Sequence, residues 1–393
     1  MIKNVLLLSF FYPPDLSAGS FRSQALVDAL LLQGVKVEVL TTSPNRYSSH
    51  TPETNAVQSE DGLRVHRVML PRFRIGFLGQ ALAFLIYACW VLKLCRNKRY
   101  DVVVATSSRL MTAVLGAEVC RRVGARLYLD LRDLFVENLQ VIFSGRLARL
   151  MTRVFEPLER WAVGRAEHVN LVSLGFMSYF HKHYPRVPLS VHTNGVDQVF
   201  TEFDFMRGVV DGSTHQSVVK VLYAGNVGDG QGLHSIVPVL ALALMGKVEF
   251  TIVGAGGRLQ KLEQAVAGLA NVRLHEPVAR DELLALYRNA DVLFLHLNDH
   301  PAFKRVLPSK LFEYAATGKP IWAGVGGYAA EFLGEQLSNV ALFKPCDSRG
   351  ALDCFEQLSL EPVDRSAFVE KYARNSIMQR MADEIVQLGS ARC

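Results

Sequence analysis

Val218-Val219-Lys220-Val221-Leu222-Tyr223-Ala224-Gly225-Asn226-Val227-Gly228-Asp229-Gly230-Gln231-Gly232-Leu233 is the stretch on which the reading of this chain turns. Six of its first seven side chains are apolar, as expected of a strand buried on both faces. Four glycines then fall in the eight positions 225–232, and a helical pattern follows. Such a loop can bring its backbone close to a ligand, because glycine accepts torsions and contacts that other residues reject. The start of the chain makes the same step. An apolar run over 5–10 leads into Phe11-Tyr12-Pro13-Pro14-Asp15-Leu16-Ser17-Ala18-Gly19-Ser20 and then into a helical pattern over 21–33. A strand, a turn-rich loop and a helix therefore open the chain twice. The expectation is α/β architecture with two Rossmann-like, doubly wound parallel-sheet domains. Ligands in such sheets bind at the carboxyl ends of the strands, here in an expected interdomain cleft.

The elements around the two openings support the doubling. Strands are expected over 5–10, 35–41, 63–68, 101–106, 126–130 and 168–173, with helices between most of them, such as 108–123 and 146–165. The turn sequence Thr193-Asn194-Gly195-Val196-Asp197 and the polar segment 201–217 follow, the latter reading as a linker. The second series has strands over 218–224, 248–253, 272–275, 291–297, 320–323 and 340–343. A long helical pattern over 365–388 has no strand after it. The expected boundaries are 1–195 and 196–365, with 366–393 as a C-terminal helix crossing back to the first domain.

The 393 residues suit about two domains at ~150 residues each. With 50% hydrophobic and 20% charged residues, the chain is excluded from the disordered class. A net charge of +6 fits an acidic small ligand or an anionic membrane and gives no reason to expect nucleic acid. The six cysteines show no C-x-x-C spacing, so neither a metal site nor a disulfide framework is expected. Met1-Ile2-Lys3-Asn4 leads straight into a strand, so no secretion signal is expected. Phe77–Cys95 is nineteen residues with one charge, Lys93. Its length suits a bilayer span, but it falls between two strands of one expected sheet, which a span would separate. Residues 64–126 carry twelve Lys/Arg, including Arg72 and Arg74, against two acids. The expectation is a peripheral face, with Phe84 and Tyr87 on an anionic membrane. The alternatives are burial under the arginine-rich loop or in an oligomer.

Four strand-to-helix loops carry the candidate chemistry. In the first, Gly19 lies where free helix N–H groups attract anions. In the second, Asp130-Leu131-Arg132-Asp133-Leu134-Phe135-Val136-Glu137 follows a buried strand. Asp133 or Glu137 is placed to orient an acceptor hydroxyl, and Arg132 to pair with one of them or with phosphate; a structural Arg–Asp pair is the plain alternative. The third is the glycine-rich loop, with Gly225, Asn226 and Gly228 as backbone candidates. A related loop, Val253-Gly254-Ala255-Gly256-Gly257-Arg258, lacks dinucleotide spacing and reads as close packing. The fourth runs from Lys304 through Pro308-Ser309-Lys310-Leu311-Phe312-Glu313 to Gly318. A lysine in a first helical turn opposes the dipole, which marks Lys310 as a phosphate ligand. Glu313 shares its helix face and suits ribose hydroxyls, with a plain i,i+3 ion pair as the alternative.

These segments resemble the GT-B glycosyltransferases of family 4, in the bacterial surface-polysaccharide branch related to L-fucosamine transferases. The matching segments are FYPP…GS at 11–20, DLRDLFVEN at 130–138, TNGVD at 193–197, YAGNVGDGQGL at 223–233, ADVLFLHL at 290–297 and PSKLFEYAATGKP at 308–320. The resemblance implies a retaining, metal-independent enzyme without a cofactor. Its donor is a nucleotide sugar, UDP-linked in preference to GDP-linked, and its acceptor a polyprenyl-diphosphate-linked saccharide of O-antigen or capsule assembly. The cysteine usage and the basic, apolar stretch around 77–95 lead to the expectation of a cytoplasmic protein, peripheral on the inner face of the cytoplasmic membrane. The donor residues would be Gly19, Gly225, Asn226, Gly228, Lys304, Ser309, Lys310, Leu311 and Glu313. Asp133, Glu137 and Lys310 would serve catalysis, and Arg132 the acceptor. Glu313 matches the second glutamate of the family's E-x7-E pattern, while the first falls at Arg305; loop cations common in the family are Asn226 and Gln231 here. A nucleotide-sugar 2-epimerase of the same fold, or a non-catalytic nucleotide-sugar-binding partner, is the alternative.

Overall fold

The computed structural model describes residues 2–15, 17–44, 54–71, 77–107, 109–143, 145–205 and 218–390. Arg72, Arg74 and most of the expected linker lie outside them. The described residues form two units, Met1–Asn194 with Arg374–Cys393, and Gly195–Ala373.

The first unit's strands are β1 (Asn4–Ser9), β2 (Lys36–Thr42), β3 (Val57–Glu60), β4 (Leu63–Val68), β5 (Val102–Ser107), β6 (Arg126–Leu131), β7 (His168–Leu171) and β8 (Leu189–Val191). Their order is β3-β4-β2-β1-β5-β6-β7-β8. Every described pair is parallel except β3–β4. β3 and β8 escaped the sequence reading: β3 is an exposed edge strand and β8 has three half-buried residues, so neither carries an apolar run. The unit's helices are α1 (Ala18–Leu32), α2 (Phe77–Cys95), α3 (Leu110–Val123), α4 (Phe135–Ile142), α5 (Gly145–Val163) and α6 (Met177–His183).

The second unit holds α7 (Gln198–Glu202), β9 (Val219–Ala224), α8 (Leu233–Ala243), β10 (Val248–Val253), α9 (Leu259–Val266), β11 (Val272–His275), α10 (Arg280–Asn289), β12 (Val292–His296), α11 (Lys310–Ala316), β13 (Ile321–Gly324), α12 (Tyr328–Gln336), β14 (Val340–Phe343), α13 (Ser348–Phe355) and α14 (Ser366–Lys371). A final helix, α15 (Arg374–Ser390), belongs to the first unit. The expected single C-terminal helix is thus two. They part at Ala373, which bridges Val196, while the Val196 N–H donates to the Tyr372 carbonyl.

The second sheet is parallel in the order β11-β10-β9-β12-β13-β14. Period-two alternation splits its core. Leu222, Ala224, Leu293 and Leu295 face one cluster with Leu311 and Phe312, while Val221, Tyr223, Val292 and Phe294 face another with Ile236 and Trp322. In the first unit α1 and α15 pack together, and α2, α3 and α5 form another row. Alternation on β6 shows that the rows lie on opposite faces: Tyr128 and Asp130 meet α15 and α1, whereas Leu127 meets Gly116 of α3.

α2 has the expected bounds and lies between β4 and β5 of one sheet. Among the described residues no helix is long and apolar enough to cross a membrane. Phe84 and Tyr87 require a correction. They are 7% and 0% exposed, Phe84 stacks on Phe10 and Tyr87 meets it edge-on, and the Tyr87 hydroxyl donates to Leu40 O at 2.7 Å. Both anchor the helix to the sheet and present no membrane face.

Candidate active site

Chain order reverses at β1/β5 in the first sheet and at β9/β12 in the second. A doubly wound sheet opens for ligands at these points, because neighbouring loops leave toward opposite faces. The loop after β1, the glycine-rich loop after β9 and the loop and helix after β12 all sit there. Physical position thus joins what the sequence separates by some eighty residues in the second unit.

In the first unit the β6 loop reaches the start of α1. A Cβ on Gly19 would overlap the Arg132 guanidinium, so glycine is what lets this cation lie against the first turn of α1. Ser17 caps that turn, accepting the Ser20 N–H at 3.1 Å. Asp130 is consumed structurally: Arg22 donates to both its carboxylate oxygens at 2.9 Å, and both residues are buried. Arg22 also donates to the carbonyls of His192 and Thr193. Burial pushes the Asp130 carboxyl up, but the opposite charge and hydrogen bonds of Arg22, with further hydrogen bonds from Asn170 and Thr106, outweigh it and hold it below its ordinary value.

Asp133 has a different environment. It lines a largely apolar cavity with Arg109, Leu110, Phe135, Glu159 and Phe180. Burial raises its carboxyl from the ordinary 3.8 to about 6, against the lowering charge of Arg132. Glu159 accepts from the Tyr179 and Tyr184 hydroxyls at 2.6 and 2.8 Å, which ties it to the wall of the cavity. Glu137 lies in the first turn of α4, where a carboxylate complements the helix dipole.

In the second unit Lys310 bends over the glycine-rich loop, and a Cβ built on Gly225 would lie 3.7 Å from its Cε. The Lys310 ammonium donates to Glu313 Oε2 at 2.7 Å, and the Tyr287 hydroxyl donates to the same oxygen at 3.0 Å. The i,i+3 pair is therefore real but half-buried, and it holds the cation over the loop. Ser309 precedes the helix without capping it through its side chain. Asn226 and Gly228 both donate to Gln231 Oε1, at 2.8 and 3.2 Å, so the loop is closed by neutral side chains. The neighbouring Gly254 and Gly256 provide close packing: a Cβ on either would overlap the carbonyls of Gly225 or Val227. Among the described residues no group of three or more His, Cys, Asp or Glu side chains is placed to hold a metal ion.

Two family descriptions match the chain, "Glycosyl transferase 4-like domain" over residues 19–195 and "Glycosyl transferases group 1" over residues 219–359. The chain belongs to the GT-B glycosyltransferases of family 4. It is 24% identical over 346 residues to an Escherichia coli (strain K12) protein described as colanic acid biosynthesis glycosyl transferase WcaI, covering 80% of this chain and 81% of that one. The fold is shared with sucrose-phosphate synthase from Thermosynechococcus elongatus (TM-score 0.68, 14% identity, 98% and 94% of the two chains). It is shared also with Anabaena Alr3699/HepE in complex with UDP-glucose (TM-score 0.61, 16% identity, 98% and 97%). The lipopolysaccharide glycosyltransferase WaaG gives a TM-score of 0.58 at 14% identity, over 99% and 95%.

Within this glycosyltransferase the expected residues divide. Gly225, Asn226, Gly228, Lys310 and Glu313 come together in the second unit, and Gly19 with Arg132 in the first. Leu311 does not join them: it is fully buried in the core, so its side chain holds α11 to the sheet and cannot meet a donor. Lys304 is exposed on a 3-10 turn, its Nζ 3.8 Å from Asp299. The sequence reading missed Tyr287, His296 and Asn298, and named Gln231 only as the place of a family cation. Their signal was present in part, because His296 and Asn298 stand at the carboxyl end of an apolar strand, where polar residues face the ligand edge.

Proposed function

We propose that this glycosyltransferase moves a sugar, with retention of anomeric configuration, from a UDP-linked donor to a polyprenyl-diphosphate-linked saccharide in surface-polysaccharide assembly. The observation that carries the reading is the convergence of Lys310, Glu313 and the glycine-rich loop at the β9/β12 reversal. A departing nucleoside diphosphate gains negative charge. Loop N–H groups and the Lys310 ammonium would stabilise it without a metal ion. Glu313 would take the ribose hydroxyls and keep Lys310 in place. Asp133, whose carboxyl burial raises to about 6, would orient the acceptor hydroxyl in the first unit, and Glu137 in the first turn of α4 would assist it. The colanic acid name of the E. coli relative supports a surface polysaccharide, and the UDP-glucose held by HepE supports a uridine donor.

The acceptor's lipid tail calls for a peripheral position on the membrane's inner face. With Phe84 and Tyr87 buried, the large exposed apolar side chains of that row among the described residues are Leu82 and Leu85 on α2 and Leu147, Leu150 and Val154 on α5. Arg146, Arg149 and Arg153 alternate with the α5 residues, a composition suited to anionic lipid.

A screen of UDP- and GDP-sugars, read as thermal stabilisation, identifies the donor, since a ligand that prefers the folded state raises apparent stability. Lys310→Ala and Glu313→Ala should each cut turnover about 100-fold or more, the scale of a lost transition-state donor. Unchanged turnover in both variants would sink the site assignment.

A further inference from the structure

Three consecutive carbonyls of the glycine-rich loop are engaged from one strand end. His296, the last residue of β12, is fully buried, and its Nδ1 lies 2.6 Å from the Gln231 carbonyl oxygen. Two residues on, the Asn298 backbone N–H donates to Gly230 O at 2.8 Å, and its side-chain amide donates to Asp229 O at 3.1 Å. From the other side the Cys346 backbone N–H donates to His296 Nε2 at 3.0 Å, and Cys346 Sγ donates to Asn298 Oδ1 at 3.2 Å. Nε2 is therefore an acceptor, and the ring proton sits on Nδ1, facing Gln231. The imidazole packs against Phe294 and Phe343, with ring centroids 6.1 and 6.0 Å away, and those two rings are 6.3 Å from each other. Gly324 of β13 leaves it space, since a Cβ there would overlap both the imidazole and Phe343. Burial lowers the imidazole pKa to about 4, so the ring remains a neutral donor–acceptor at cellular pH.

A carbonyl turned toward a phosphate repels it, whereas an N–H attracts it. A loop with four glycines in eight positions has little intrinsic preference between these orientations. Something outside the loop must choose. We propose that His296 and Asn298 are positioning residues of the donor site: they hold the carbonyls of Asp229, Gly230 and Gln231 against the end of β12, and so preset the loop to receive a diphosphate. Neither residue needs to touch the donor. The inference rests on the reading that this loop takes the donor diphosphate, and it predicts that the two residues act on the diphosphate and not on the nucleoside.

Calorimetric titration of the full chain with UDP and with uridine tests it, with GDP and guanosine in parallel to cover a guanine donor. His296→Phe keeps the aromatic stack and removes both ring hydrogen bonds. Asn298→Ala removes the amide bonds and keeps the backbone bond. Each should weaken diphosphate binding about tenfold, the worth of one or two such bonds, and leave nucleoside binding within about twofold. His296→Asn, whose amide N–H takes the place of Nδ1–H, should recover most of the loss. Folded variants that bind the diphosphate as tightly as the parent overturn the proposal. So does an equal loss for diphosphate and nucleoside, which marks general loosening of the unit. If melting shows that His296→Phe does not fold, Asn298→Ala decides alone. Failure of the donor reading has its own signature: the parent protein would bind neither diphosphate more tightly than its nucleoside, and the inference would fall with it.

Discussion

Asp130 and Asp133 stand three positions apart, yet their environments give them opposite characters. Asp130 is held ionised by Arg22, and Asp133 is pushed toward neutrality by burial. Removing the Arg22 charge would leave a buried carboxylate with no cation, held only by the neutral donors Thr106 and Asn170. Arg22→Met should cost ~3–5 kcal/mol, measured by denaturant unfolding, and an Arg22→Met/Asp130→Leu pair should cost less than the single change. Asp133 works the other way. Its folded pKa of about 6 exceeds the ordinary 3.8, so the folded state binds the proton more tightly and stability falls as pH rises through that window. Asp133→Asn should therefore melt at a higher temperature than the parent at neutral pH, with the gain fading toward pH ~4. Its turnover should fall, and in the parent kcat/KM should decline below a pH of about 6. An unchanged acid limb in Asp133→Asn would remove this residue from the chemistry.

At the scale of elements, α2 shows why hydropathy and exposure must be separated. Nineteen residues with one charge suggest a membrane contact all round, but the sheet takes Phe84, Tyr87, Val91 and Cys95, one helical face at spacings of three and four. Phe84→Ser should destabilise by ~3 kcal/mol or more, as core truncations do. α5 is the contrasting case. Leu147, Leu150 and Val154 are each about half exposed, at 50, 56 and 51%. Leu147→Ser/Leu150→Ser should leave the melting temperature near that of the parent and reduce sedimentation with phosphatidylglycerol vesicles. Equal sedimentation of the double variant and the parent would assign this face another role.

At the scale of the whole molecule, the last helix returns to the unit that the chain began. α15 packs along α1 and buries Ile377, Met378, Met381 and Ile385, and Arg374 donates to the Asn194 carbonyl at 3.0 Å. Deleting residues 374–393 should lower the cooperativity and midpoint of unfolding in the first unit, where Trp161 and Trp90 report by fluorescence. It should leave the transition of the second unit, reported by Trp322, in place. A coincident loss of both transitions would mean that the two units unfold together.

The alternation of apolar runs with helical patterns was enough to read two doubly wound halves, and β4, β10, β11, β14 and α2 lie at the bounds that periodicity assigns. This was legible because burial on both faces of a parallel strand demands a continuous apolar run, which is a local property. The exposed β3 and the short β8 carry no such run and were missed. The loops were legible as glycine, proline and charge placed after strands. Which of their residues meet was not. Arg132 over Gly19, Lys310 over Gly225 and the His296–Asn298 brace on residues 229–231 join segments from 65 to about 110 positions apart. Whether Leu311, Phe84 and Tyr87 face a ligand, a membrane or the core was equally beyond local pattern. Only the pairing order of the strands brings the loops of each unit to one edge of its own sheet, and only packing decides which face of a helix the sheet consumes.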